Sequence, residues 1–340
     1  MNLKKLHFLF CILFLFSSSQ AYAECTNWEK IFAAPKGRSI AVNTFQLQTQ
    51  DANDTWLAQG VRFFLSDLFK SVDGLNVLRS AESANYVLDG TVQRIEHNVR
   101  FFLSFSKSGE VLKRYELSVP LPLQRTFFLQ LAELARKIMQ DQQFTPNDET
   151  FKALRDSATS VQAYQAYTRG RELLLSFDSS KFSEAARWFE ESKRADFRSP
   201  LGFAGSFETA LMQAFAAKQA QQSFRSAFEA AEREIQLMKQ YHIKVHDALL
   251  LLPKNSLQRD EYGDLHNRFL QAQSAFVEAL AHSQHGDWRN AKTSLQAVLN
   301  AVPEDGITWY HLGKAESNLH EQKSAEKNFA EARKWNNCLP

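Results

Sequence analysis

Glycine is scarce in this chain, with 12 in 340 residues, and none of them forms a phosphate-cradling loop, a dinucleotide fingerprint or a G-x-S-x-G nucleophile turn. Motif-borne nucleotide chemistry and the common hydrolase elbow are therefore excluded. Histidine offers no better start. His242 and His246 stand one helical turn apart, but no Glu follows the first, so the metalloprotease pair is incomplete. His282, His285 and His311 fall in neighbouring segments, and no Cys or carboxylate is read as completing a ligand set with all three. No catalytic residue, metal or cofactor is expected.

A one-signed charge excess is also missing. Lys4 and Lys5 sit in an N-terminal stretch that reads as a secretory signal: a basic start, an apolar run of 11 residues from Leu6 to Phe16, a Ser-rich segment and Ala21-Tyr22-Ala23. That run is far shorter than the roughly 20 residues that span a bilayer. Cleavage after Ala23 is expected, giving a periplasmic or otherwise exported chain. Without those two lysines the 40 basic residues fall to 38, equal to the 38 acidic ones. A nucleic-acid binder needs a positive face that displaces counterions, so nucleic acid is not an expected partner.

Cysteine is the third shortage. Cys11 lies in the signal, which leaves Cys25 and Cys338 near the two ends of the mature chain in an oxidising compartment. A disulfide between them is the expectation, with two separate thiols as the alternative, because sequence supplies no distance.

What the chain has in quantity is apolar and aromatic side chains, 44% and 12% of residues, enough for a large core and two domains. From Ser39 a β-rich run, "SIAVNTFQL", precedes "DTWLAQGVRFFLSDLFKSV", whose Trp56, Leu57, Val61, Phe64, Leu65 and Leu68 recur at helical spacing with Asp54 as N-cap. "LNVLR" is a second strand. The block from Tyr86 to Leu121 reads as three strands with turns near His97-Asn98 and at Lys107-Ser108-Gly109, and "QRTFFLQLAELARKIMQ" closes the unit as a helix. Phe101, Leu103 and Phe105 share one face of a strand, the mark of a core rather than of a base-stacking platform.

The order of elements predicts an α+β layer, a mixed sheet covered by helices. "IAVNTF", "LAQGVRFFLSDLF", "LNVLRS" and "ANYVLDGTVQR" together resemble the TolB amino-terminal-domain-like module over about Ser39 to Gln140. Members of that family often sit beside helical repeats in bacterial envelope and regulatory proteins.

Repeats follow here too. Trp309, Leu312, Gly313, Ala325, Phe329 and Ala332 resemble the tetratricopeptide signature W-x2-L-G-x2-Y…A-x3-F…P, with Glu316 in place of the usual Tyr. Residues of the same size class, Ala279, Ala291 and Leu295, stand 34 positions upstream of Gly313, Ala325 and Phe329, and Gly286-Asp287 supplies the turn. Tyr167, Gly170, Ala185, Phe189 and Pro200 fit the same pattern with a longer turn. The expected organisation is a signal at 1–23, an α+β domain at 24–142, a linker at 143–155 and an all-α solenoid at 156–340.

In tetratricopeptide stacks the first helix of each hairpin lines the concave face. The resemblance places that face on Tyr167 and Arg171, on Gln273, Phe276 and Leu280, and on Tyr310, Lys314 and Asn318. Aromatics beside amides and cations suit capture of an extended or helical peptide. The competing reading is that these residues support neighbouring hairpins. The expected function is a non-catalytic adaptor or scaffold of the cell envelope that binds a protein partner, with peripheral association to a membrane complex. The alternative is a sensor whose α+β domain captures a small molecule.

Overall fold

The computed structural model describes residues 37–252 apart from 49–50, 52–53, 79–80, 83, 177 and 220–224, and residues 275–339 apart from 277, 302, 304 and 337–338. The expected signal at 1–23, Cys25 and Cys338 lie outside the described residues, as does the disulfide expected between the two cysteines. The chain divides into two compact units, one made of Ala33–Thr209 with Ala230–Asn255, the other containing Ala210–Glu229 and Ser256–Pro340.

The N-terminal half holds a mixed sheet. Its strands are β1 (Arg38–Val42), β2 (Gln46–Gln48), β3 (Leu75–Leu78), β4 (Tyr86–Ile95), β5 (Asn98–Lys107) and β6 (Glu110–Pro120), in the order β3-β1-β4-β5-β6 with β2 also paired to β4. Strands β1 and β2 run parallel to β4, and β1 runs parallel to β3. A parallel pair needs a crossover, and helix α1 (Thr55–Phe69) lies in the connection from β2 to β3. The meander β4-β5-β6 is antiparallel, with turns at Glu96-His97 and Ser108-Gly109, where Glu96 and Ser108 take positive φ.

Helix α1 is buried on nearly every side. Only Thr55, Gln59, Arg62 and Ser66 form a less buried stripe, which is what a helix with a wide apolar face and a narrow polar one requires. Asp54 stands at its N-cap position without a capping hydrogen bond, and its carboxylate instead meets Arg94 at 3.1 Å. Helix α2 (Arg125–Asp141) places Phe127 and Phe128 inward. Alternation on β5 sends Val99, Phe101, Leu103 and Phe105 to the same side, all of them buried.

Gly90 explains the "YVLDGTV" strand. The Phe45 ring lies over it, so that a Cβ at position 90 would fall 2.3 Å from Phe45 Cε1 and 2.6 Å from the backbone oxygen of Phe102. Phe45 is itself buried and cannot swing clear. Gly90→Ala is expected to destabilise this unit by about 2 kcal/mol through overpacking, measured as a lower denaturant midpoint at unchanged slope.

The C-terminal half is largely helical. Residues 143–155, expected as a linker, carry α3 (Asp148–Asp156), capped by Asn147 accepting from the Thr150 N–H at 2.9 Å. A hairpin follows, α4 (Val161–Leu175) and α5 (Phe182–Ala195), then α6 (Pro200–Gln219), α7 (Arg225–Gln240) and α8 (Val245–Leu250). Beyond a helical run at 278–284 come α9 (Trp288–Ala301), α10 (Gly306–Asn318) and α11 (Gln322–Trp335). Among the described residues no helix is long and apolar enough to cross a membrane.

Candidate protein-binding site

The hairpin α4–α5 packs against α1 and α2 through a chain of rings. Phe101 on β5 stacks on Phe127 at 5.7 Å, Phe127 meets Phe128 at 5.0 Å, Phe128 meets Tyr164 at 4.9 Å, and Tyr164 leads through Tyr167 to Phe189. The Tyr164 hydroxyl donates to the Gly60 carbonyl at 3.1 Å. Such a buried hydroxyl needs an acceptor, and the partner it finds is the backbone of α1.

A buried charge cluster sits beside this chain. Arg171 donates from Nη1 and Nη2 to the two carboxylate oxygens of Asp67, at 2.6 and 3.0 Å. Lys70 Nζ stands 2.6 Å from the same carboxylate and donates to the carbonyls of Leu251 and Leu252, at 2.7 and 3.2 Å. Those carbonyls follow the end of α8, where a helix leaves acceptors unsatisfied, so Lys70 caps α8 from α1. Burial works against each charge. Against it, Arg171 and Lys70 hold the Asp67 carboxyl below its ordinary value, and Asp67 leads the groups that hold Arg171 above its own. Burial prevails at Lys70, whose pKa comes down to about 8 despite Asp67.

Tyr167 and Arg171 were expected on a partner-binding face. They are only 2% and 7% exposed and are committed to Phe189, Phe63 and Asp67 within the same unit. The first hairpin's share of that face is therefore covered by α1. Phe276 is also 7% exposed and packs edge-on against His311 at 5.8 Å, as a support between helices rather than a presented ring. Gln273 lies outside the described residues.

Four of the expected positions remain open. Leu280 and Tyr310 are half-buried, and Lys314 and Asn318 are exposed. Tyr310, Lys314 and Asn318 succeed one another at one-turn intervals on α10, with Lys314 Nζ 5.7 Å from the centre of the Tyr310 ring. The Asn318 amide donates to the Lys314 carbonyl at 2.8 Å. No carboxylate among the described residues forms an ion pair with Lys314.

The same hairpin contains polar contacts that the repeat pattern does not announce. Asp305 caps α10 by accepting from the Thr308 N–H. Glu316, at the signature's Tyr position, is buried and accepts from Asn328 on α11 at 2.6 Å while meeting Lys292 on α9 at 3.2 Å. Its departure from the signature is the available signal: a carboxylate at a packing position requires a donor on each neighbouring helix.

His311 lies between Phe276 and Tyr310. Burial pulls its pKa down to about 4, Lys314 adding in the same direction and Asp305 opposing. The unfolded chain takes up this proton below pH 6.5, while the folded chain stays neutral until about pH 4. Stability from this group is thus present above pH 6.5 and lost as pH falls toward 4, by up to about 3 kcal/mol. His311→Gln is expected to flatten that part of the stability profile, measured by denaturant unfolding at stepped pH.

Among the described residues no group of three or more His, Cys, Asp and Glu is placed to hold a metal. A shallow concavity of about 530 Å³ does open on the sheet, lined in part by Asp89, Thr91, Phe102, Ser104, Arg114 and Glu116. No family model matches the chain, and no curated protein sequence matches it.

Proposed function

We propose that this protein is a non-catalytic adaptor of the cell envelope: a TolB-like α+β module carrying a tetratricopeptide-type stack that captures a protein partner on the open face of its last hairpins. The carrying observation is the row of Tyr310, Lys314 and Asn318, a partly exposed ring, an exposed ammonium with no carboxylate ion-paired to it among the described residues, and an amide on one side of α10. Rings and cations presented together on a helix face suit the recognition of a peptide or helix. The expected peripheral association with a membrane complex belongs to this reading, as does export to the periplasm. So does the expected pairing of Cys25 with Cys338.

Tagged full-length protein, recovered from gently solubilised envelopes, tests the reading. Tyr310→Ala combined with Lys314→Ala should lose the co-purifying partner, while Lys327→Ala, an exposed change on α11, should retain it. A folded double variant that recovers the same partner at the parent's yield would remove the proposal.

The concavity on the sheet supports a second reading, a module that binds a small polar ligand. Its volume falls within the roughly 300–1,000 Å³ of ligand pockets, and Asp89 and Arg114 supply both signs of charge at its lining. A thermal-shift screen decides between the two, because a ligand of the folded state raises the melting temperature with its concentration. Arg114→Ala should abolish any such shift.

A further inference from the structure

The first and last hairpins carry the same constellation, one covered and one open. In the first, a Cβ on Gly170 would fall 2.8 Å from the Phe189 ring. The Tyr167 ring stands 5.8 Å from Phe189 at 51°, and the Arg171 guanidinium lies 5.8 Å from Tyr167. In the last, a Cβ on Gly313 would fall 2.8 Å from Phe329. Tyr310 stands 5.7 Å from Phe329 at 51°, and the Lys314 ammonium lies 5.7 Å from Tyr310. The glycine admits the ring, the ring seats the tyrosine, and the tyrosine face carries the cation.

What differs is the cover. Over the first constellation α1 lays Phe63, 4.7 Å from the Arg171 guanidinium, and one turn later Asp67, which takes both of that guanidinium's terminal nitrogens. Over the last, Tyr310 remains half-buried and Lys314 exposed, with no carboxylate ion-paired to it among the described residues. We infer that the last hairpin takes from its partner what the first takes from α1: an amphipathic helix carrying an aromatic residue one turn ahead of a carboxylate. The aromatic side chain lies over the Tyr310–Lys314 pair and the carboxylate meets the Lys314 ammonium. This rests on the adaptor reading and specifies the partner's chemistry. A second copy of this chain does not supply the helix from α1, because α1 is buried in its own fold.

The inference makes α1's own sequence a usable probe. Isolated helices of this length are marginal in water, so a fluorescent peptide spanning residues 54–70 is cross-linked between positions 62 and 66, on the less buried stripe away from Phe63 and Asp67. Fluorescence anisotropy with the full chain should show saturable binding, weakened about tenfold or more by Lys314→Glu, a loss of at least about 1.4 kcal/mol. The same Lys314→Glu chain should regain affinity for a peptide carrying Asp67→Lys. Circular dichroism confirms that the variant, altered at an exposed position, is folded.

Absence of binding, binding indifferent to Lys314→Glu, or failure of the reversed-charge peptide to recover affinity would each overturn the inference. If the Tyr310/Lys314 double variant still lost its envelope partner while the peptide failed, the groove would stand and the aromatic–acid helix would fall. If both failed, the adaptor reading would fall with it.

Discussion

Arg171→Met is expected to lower the unfolding free energy by about 3–5 kcal/mol, because it leaves the Asp67 carboxylate buried without its bidentate partner. Asp67 is only 3% exposed. Lys70 remains 2.6 Å away, but it is also bound to the carbonyls at the end of α8 and carries a lowered pKa. Glu208, whose charge acts on both Arg171 and Lys70, keeps the remaining group near neutrality once the acid is removed as well. The double variant Asp67→Leu, Arg171→Met should therefore recover most of the loss, since replacing a buried ion pair by apolar groups is often near neutral. Arg171→Lys should fall between, because an ammonium cannot supply two parallel donors. Chemical denaturation of the parent, Arg171→Met, Asp67→Leu and the double variant closes the cycle. Equal stability of the parent and Arg171→Met would show that the pair does not hold α1 to the first hairpin.

The second large effect is expected at Phe189. Its ring is fully buried and fills the space left by two glycines, with a Cβ falling 2.8 Å from it at Gly170 and 2.2 Å at Gly205. Removing it leaves a cavity that neither glycine can refill, and Phe189→Ala should cost about 3–5 kcal/mol. Phe329 repeats the arrangement at Gly313 but is only half-buried, so Phe329→Ala should cost clearly less. The ranking, read from denaturant midpoints of both variants, checks that the first constellation is covered and the last one open.

Periodicity made the local elements legible. The turns around His97 and Ser108, the inward face of β5 and the helical spacing of α1 all follow from short-range pattern, as do the glycine–phenylalanine pairs at 170/189 and 313/329. Residues 143–155 were less legible, because polar composition and Pro146 obscured a short helix whose Phe151 and Leu154 are buried. The site was legible only in part. Repeat position marks Tyr167, Arg171 and Phe276 as residues of a face, but not what lies over that face, and the acid that pairs with Arg171 stands 104 residues away. A sign of it was present in "FFLSDLFK": Asp67 shares the helical face of Phe63 and Phe64, away from the polar stripe of Thr55, Gln59, Arg62 and Ser66, a position where a carboxylate needs a partner from elsewhere. Glu316 carries the same message in the last hairpin, and there the partners are Asn328 and Lys292.

The adaptor reading is tested most directly by placing a photo-crosslinking side chain at position 318 or 327 of the full chain, which leaves Tyr310 and Lys314 in place, and irradiating intact cells. Both positions are exposed, one at the end of α10 and the other on α11. Capture on the α10 face predicts a discrete adduct from position 318, none from position 327, and loss of the 318 adduct when Tyr310→Ala and Lys314→Ala are added. No adduct at 318, or the same adducts from both positions, would contradict it.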